Sequence, residues 1–197
     1  DLIIRTLENL VWPTREIDEV NYLGIIQSHP NWMVRRWINR FGFDETVKLC
    51  EENNKRPVMS LRVNSLKISN GDFENYLKEK NLYYKNGNYL ENFFTTKTMS
   101  KIYTDELFRQ GFFSVQDESA GLVAKLMDPQ KEDLIIDVCS APGGKTSHMS
   151  ELMNNEGQII AVEKYLSRME VMGKNLERLG VKNVKKLHDD ICQYAQN

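Results

Sequence analysis

Apolar positions fall at helical spacing in the first third of the chain. In the middle they mix the two periods, and after Leu134 they alternate between strand-like and helix-like blocks. Leu2, Ile3, Leu7, Leu10 and Val11 line one side of a predicted helix over 2–12, broken at 13–18. With no capping residue before it, this helix is expected to be already under way, as at a cut edge. Residues 22–42 are apolar and basic, punctuated by His29-Pro30. Within them Met33, Val34, Trp37, Ile38 and Phe41 recur at the 3.6 period, and Gly42 suits a C-terminal stop. Asp44 is the expected N-cap of the next helix, which runs through Cys50 to Asn53. At these positions the tryptophans are expected to be core rather than platforms for stacking.

Lys55-Arg56-Pro57 reads as a boundary, and 60–64 then alternates like a strand. A helix is predicted over 70–80, with Phe73, Tyr76 and Leu77 on one side. Leu82-Tyr83-Tyr84 and Tyr89-Leu90 flank Asn86-Gly87, a hairpin turn signal. Together these predict a small α+β subdomain. Residues 110–119 lead into a helix over 120–127, closed by Asp128-Pro129. Beyond it, strands are predicted over 134–138, 158–163 and 184–187, with helices over 146–153 and 166–179, the second ended by Gly180. Such alternation implies right-handed crossovers and a parallel sheet.

Composition adds little by itself: 197 residues, 41% hydrophobic, net charge −2. Local charge is more informative. From His29 to Ile68 the basic residues are Arg35, Arg36, Arg40, Lys48, Lys55, Arg56, Arg62 and Lys67, against Asp44, Glu45, Glu51 and Glu52. That excess suits either phosphate attraction or an ordinary solvated surface. Cys50, Cys139 and Cys192 are widely spaced, with no paired-cysteine metal motif. Reduced thiols, no metal and a cytoplasmic protein are expected, since neither a signal pattern nor a long apolar run is present.

The candidate chemistry lies in Asp137-Val138-Cys139-Ser140-Ala141-Pro142-Gly143-Gly144-Lys145-Thr146, a strand end feeding a glycine turn and a helix. A phosphate-binding P-loop would need glycine at the position of Cys139, and a dinucleotide fingerprint would need three spaced glycines. The looser loop of S-adenosylmethionine-dependent methyltransferases remains, where glycines admit the methionine end of the cofactor. Its partner is an acidic residue closing the second strand, which accepts from both ribose hydroxyls. Glu163 stands there; alone it could equally be a helix-capping carboxylate. Asp190, just after the third strand, could accept from an adenine amino group.

The same decapeptide closely resembles the cofactor-loop motif of RNA cytosine-5 methyltransferases, and Val115-Gln116-Asp117-Glu118-Ser119 resembles a second block of that family. Ser28-His29-Pro30-Asn31-Trp32 with Arg36-Trp37-Ile38 is similar to the stretch joining a NusB-like helical domain to the enzyme in the bacterial Sun/RsmB branch, which acts on 16S ribosomal RNA. Leu61-Arg62-Val63-Asn64 resembles the first strand of the small RNA-binding subdomain that follows. The resemblance implies an α/β fold: an incomplete Rossmann-like methyltransferase sheet over 129–197, preceded by an α+β RNA-binding subdomain with its connecting helix over 56–128 and a NusB-like helical tail over 1–55. It implies S-adenosylmethionine contacts from Cys139, Ser140, Ala141, Pro142, Gly143, Gly144 and Lys145, with Glu163 at the ribose, Asp190 near adenine and Arg168 framing the site. Glu163 stands where the family more often has aspartate.

In the family a cysteine thiolate attacks C6 of the cytosine so that C5 can take the methyl group. That cysteine sits in a Thr-Cys motif, and a second, in a Pro-Cys motif, serves product release. Neither motif occurs in this chain, and no catalytic nucleophile is expected within it. The 197-residue piece is therefore expected to be inactive alone. An open apolar strand edge is expected to make it weakly stable or self-associating. The competing functional readings are a non-catalytic RNA-binding module and a small-molecule methyltransferase.

Overall fold

A computed structural model describes residues 12–97 and 102–194; the helix expected over 2–12 lies outside them except for Trp12. The chain divides into two compact units, residues 1–57 and 58–197. The described part of the first contains helices α1 (Glu19–Ile26), α2 (Asn31–Phe41) and α3 (Phe43–Asn54). Asp18 caps α1 by accepting from the amides of Val20 and Asn21. Leu23, Val34 and Cys50 are fully buried among Trp37, Ile38 and Val47, so Cys50 is packing, as expected.

Two readings of this unit are corrected. Trp32 is 64% exposed, because it lies two residues from Val34 and so about 200° round the helix from the buried stripe. Asp44 is not the cap of α3. Gly42, at φ +80°, closes α2 and opens α3 directly, leaving Asp44 in the first turn. Only a residue tolerating that left-handed φ allows so short a junction.

The second unit holds two sheets. Strands β1 (Met59–Val63), β2 (Tyr84–Asn86), β3 (Phe93–Thr96) and β4 (Phe113–Val115) form an antiparallel sheet in the order β2-β3-β1-β4. Leu61 and Val63 of β1 face helix α4 (Asn70–Glu79), where Phe73 packs against Phe94 and Phe113 at ring separations of 5.5 and 5.1 Å. Strand alternation sends Arg62 to the opposite face.

The hairpin also differs from expectation. Tyr89 and Leu90 are not in a strand; β2 pairs with β3 across a longer loop, 87–92. The reason is Glu118, whose carboxylate accepts from the amides of Asn88, Tyr89 and Leu90 at 2.7–2.9 Å. Although burial opposes ionisation, these donors hold its pKa below the ordinary value. At Gly87 a Cβ would meet that carboxylate at 2.5 Å. A 3₁₀ turn (Ile102–Thr104) and the short α5 (Glu106–Arg109) precede β4.

Helix α6 (Glu118–Met127) starts at Glu118 rather than Ala120, with Asp117 as its N-cap. Then come β5 (Leu134–Asp137), α7 (Gly144–Leu152), β6 (Gln158–Glu163), α8 (Leu166–Leu179), β7 (Val184–His188) and α9 (Ile191–Tyr194). The three strands form a parallel sheet, β5-β6-β7, as their alternation with helices predicted. Ala124, Ile135, Met149, Met153 and Ile159 form one buried cluster on it, and Ala141, Ala161, Met169, Met172 and Leu176 another. The molecule is thus α/β, with a parallel sheet following an antiparallel one.

Two members of the basic segment are structural. Arg62 is 0% exposed, and Lys67 donates to the carbonyls of Gln110 and Arg178 at 2.6 and 2.8 Å. Lys48 and Lys55 pair with Glu45 and Glu52 one turn away. Arg35, Arg36 and Arg40 remain exposed on α2. Among the described residues no helix is long and apolar enough to cross a membrane.

Candidate functional site

The parallel strands bring their C-terminal ends to one edge of the sheet. In register, Asp137 stands opposite Ala161, and Glu163 opposite His188. The glycine loop, Glu163 and the Asp189-Asp190 pair therefore leave the same edge, which is where ligands bind in open α/β sheets.

The loop is held at both ends. Asp137 accepts from the Cys139 amide at 3.3 Å and from the Thr146 hydroxyl at 2.7 Å, bracing the end of β5 to the first turn of α7. Ser140 is buried and donates both its amide and its hydroxyl to the Val162 carbonyl on β6, at 3.2 and 2.9 Å. The Gly143 amide turns back to the Ser140 carbonyl at 2.7 Å. Gly143 adopts φ +96°, and a Cβ there would stand 3.0 Å from Met172 Cγ. Glycine is therefore required by both conformation and space. Ala141 is buried, Gly144 is half-buried, and Cys139, Pro142 and Lys145 are exposed.

Helix α8 supplies two more struts. Arg168 donates to the Ala141 carbonyl at 2.8 Å, and Asn175 to the Pro142 carbonyl at 3.0 Å. With those carbonyls taken, and the amides of Cys139, Ser140 and Gly143 already donated within the protein, the loop offers a ligand chiefly the first-turn donors of α7, which lack intrahelical acceptors. Glu163 is 4% exposed; its carboxylate accepts from the Tyr165 amide at 3.0 Å and lies 3.9 Å from Arg168. Arg168 thus spans the loop and the acidic residue. Asp190 pairs with Lys164 at 2.8 Å and accepts from the Cys192 amide at 3.1 Å. Its neighbour Asp189 accepts the Asp190 amide at 2.8 Å and donates its own to the Glu163 carbonyl at 3.2 Å.

The arrangement brings together the loop, Glu163 and Arg168. Asp190 stands beside Lys164, one residue beyond Glu163. A carboxylate beside a loop that opens a helix N-terminus fits a ligand with vicinal hydroxyls and a charged tail. Among the described residues no cluster of three histidine, cysteine or acidic side chains could hold a metal.

Sequence reasoning missed Asn175, Thr146, Lys164 and Arg62. Arg62 reaches from β1 beneath the loop: it donates to the Gly144 carbonyl at 2.7 Å, to Ser147 at 2.8 Å and to Glu151 at 2.7 Å, and also to Gln116. Only the Asp137 strut had a local signal, a polar residue closing an apolar strand.

Residues 124–197 match the family described as 16S rRNA methyltransferase RsmB/F, and residues 29–102 match a ferredoxin-like domain described as RsmF/B-like. A probable ribosomal RNA small subunit methyltransferase B from Synechocystis sp. is 36% identical over 184 residues, covering 87% of this chain and 39% of that protein. Its counterpart from Bacillus subtilis is 31% identical over 165 residues, covering 83% and 36%. The crystal structure of a methyltransferase homolog protein from Pyrococcus horikoshii superposes with a TM-score of 0.80 at 26% identity, covering 91% of this chain and 59% of that one. The chain spans less than two fifths of the length of those curated relatives.

Proposed function

Because the chain belongs to the RsmB/F methyltransferase family, we propose that its protein transfers a methyl group from S-adenosylmethionine to C5 of a cytosine in 16S ribosomal RNA. One observation carries this reading: a buried carboxylate, Glu163, stands beside a glycine loop whose carbonyls are tied back by α8. The cofactor, when bound, supplies an electrophilic methyl on its sulfonium. The chain's residues bind and orient it. The backbone of 139–145 surrounds the methionine end, and Glu163 accepts from the ribose hydroxyls. Arg168 keeps the Ala141 carbonyl out of the way and lies near the Glu163 carboxylate, and Asp190 receives the adenine amino group. The longer arm of glutamate reaches the same hydroxyls as the aspartate usual in the family.

The small antiparallel sheet is our candidate for the ribosomal RNA side of the reaction, as the resemblance of Leu61-Arg62-Val63-Asn64 to an RNA-binding subdomain implies. No nucleophile is assigned to this chain: Cys50 is buried, Cys139 belongs to the loop, Cys192 follows Ile191, and none stands in a Thr-Cys or Pro-Cys pair.

Titration calorimetry with S-adenosylhomocysteine tests the cofactor reading. Binding is expected, and Glu163→Ala is expected to weaken it about 10- to 100-fold, the worth of a hydrogen bond to a charged group. An unchanged affinity in that variant removes Glu163 from the site; no binding by the parent removes the cofactor.

A further inference from the structure

We propose that Arg62 is a positioning residue for the methyl-donor loop, holding the first turn of α7 from an inner strand of the antiparallel sheet, so that this sheet is part of the donor site. The inference rests on the cofactor reading above.

Arg62 is 0% exposed, and neither it nor Glu151 reaches solvent. Burying a cation costs several kcal/mol, and apolar residues of like volume usually serve stability as well or better. A buried guanidinium therefore needs a reason beyond packing. Its contacts supply one. Three of its acceptors, the Gly144 carbonyl, Ser147 and Glu151, lie on α7, at the first, fourth and eighth residues of that helix. A planar fork with several donors can hold these at once, whereas an ammonium cannot. Gly144 follows Gly143, the residue whose left-handed φ forms the turn.

The network is not saturated. Arg62 Nε, Gln116 Nε2, Glu151 Oε2 and His148 Nδ1 are buried without a partner. A cluster built for stability alone would satisfy its polar atoms or omit them. Four such atoms near one guanidinium show that hydrogen-bond satisfaction alone does not account for the cluster.

A second grip runs through α8, the helix that supplies Arg168 and Asn175 to the loop. Asn64, two residues after Arg62, donates to the carbonyls of Gly111 and Leu179, both at 2.8 Å. Lys67 holds the neighbouring carbonyl of Arg178 at 2.8 Å. At Gly111 a Cβ would overlap the Arg178 carbonyl, 1.9 Å away. The spacing Arg62-x-Asn64-x-x-Lys67 thus fixes the start of α7 and the end of α8 to the antiparallel sheet.

The test uses Arg62→Met with Glu151→Leu, which removes both buried charges together, and Arg62→Lys alone. Three quantities are read: melting temperature, S-adenosylhomocysteine affinity by calorimetry, and amide exchange over 139–147 in the cofactor-free protein. The double variant is expected to melt near the parent temperature yet bind at least tenfold more weakly, with faster exchange confined to that stretch. Arg62→Lys is expected to recover part of the affinity. It also decides the matter if the double variant does not fold: parent-like affinity and exchange in Arg62→Lys would overturn the proposal. So would parent-like values in a folded double variant. If the parent binds no S-adenosylhomocysteine, the cofactor reading falls, while exchange over 139–147 still decides whether Arg62 positions the loop.

Discussion

Thr146 donates its hydroxyl to Asp137 at 2.7 Å, closing a ring that begins at the last residue of β5 and ends in the first turn of α7. The enclosed residues are those expected to meet the methyl donor. The bond is partly buried and its acceptor is a carboxylate, the kind worth about 1.5–3 kcal/mol. Thr146→Val keeps the shape and removes the donor. It is expected to lower stability by about that amount in urea unfolding, and to weaken S-adenosylhomocysteine binding. Unchanged stability would show that the ring is not needed to hold the turn.

Gly143 and Gly144 are adjacent, yet they should respond differently to alanine. At Gly143 the backbone sits at φ +96° and the added methyl meets Met172 at 3.0 Å. Gly143→Ala is expected to cost about 1–3 kcal/mol in denaturant unfolding. At Gly144 the nearest atom to a new methyl is Gln116 Nε2, at an ordinary 3.6 Å, and the position is helical. Gly144→Ala is expected to change stability by no more than about 1 kcal/mol. Equal effects at the two positions would contradict the assignment of the turn to Gly143.

Two buried groups near Arg62 give opposing pH dependences. Burial raises Glu151 to about 7 against the pull of Arg62. Burial, with Arg62 and Lys125 adding repulsion, lowers His148 to about 3. Glu151 therefore contributes stability that is present below its ordinary 4.5 and lost as pH rises to about 7. His148 contributes stability that is present above its ordinary 6.5 and lost as pH falls toward 3. From 4.5 to 6.5 the two slopes offset each other. His148→Asn should expose the Glu151 slope, with stability falling as pH rises through that window. Glu151→Gln should expose the opposite one. Denaturant unfolding at a series of pH values measures both, and parallel profiles for the two variants would contradict the prediction.

Strand β5 presents Leu134 and Ile136 at 63% and 57% exposure, with Val138 just beyond it at 46%, and among the described residues it pairs only with β6. A bare apolar strand with an unpaired edge invites association. The 197-residue chain is expected to self-associate with rising concentration, and Ile136→Lys to suppress this. Sedimentation velocity reads it, and a parent that stays monomeric throughout would refute it.

What the sequence disclosed depended on how locally each feature is determined. The alternation after Leu134 and the glycine turn are set by neighbouring residues, so β5, α7, β6, α8 and β7 could be placed from spacing alone. Glu163 was legible because it closes an apolar run. Arg62 and Lys67 read in sequence as free charge, open to phosphate or to solvent, because their partners, Gly144 and Arg178, lie 82 and 111 residues away. The Asn86-Gly87 signal suggested a tight turn, but the loop length is set by Glu118, which is about 30 residues downstream in sequence. Trp32 reads as core from its place in an apolar helical stretch, although its angular position on α2 excludes it. Strands β3 and β4 went unassigned; each is short and gains its identity by pairing with β1.

Glu118 has a consequence for how the second unit folds. Its carboxylate gathers the loop between β2 and β3, while Ala124, on the same helix, lies in the cluster beneath β5 and β6. One helix thus holds both the shape of the antiparallel hairpin and a face of the parallel sheet. The two sheets are expected to melt in concert, as one cooperative foldon rather than as beads on a string.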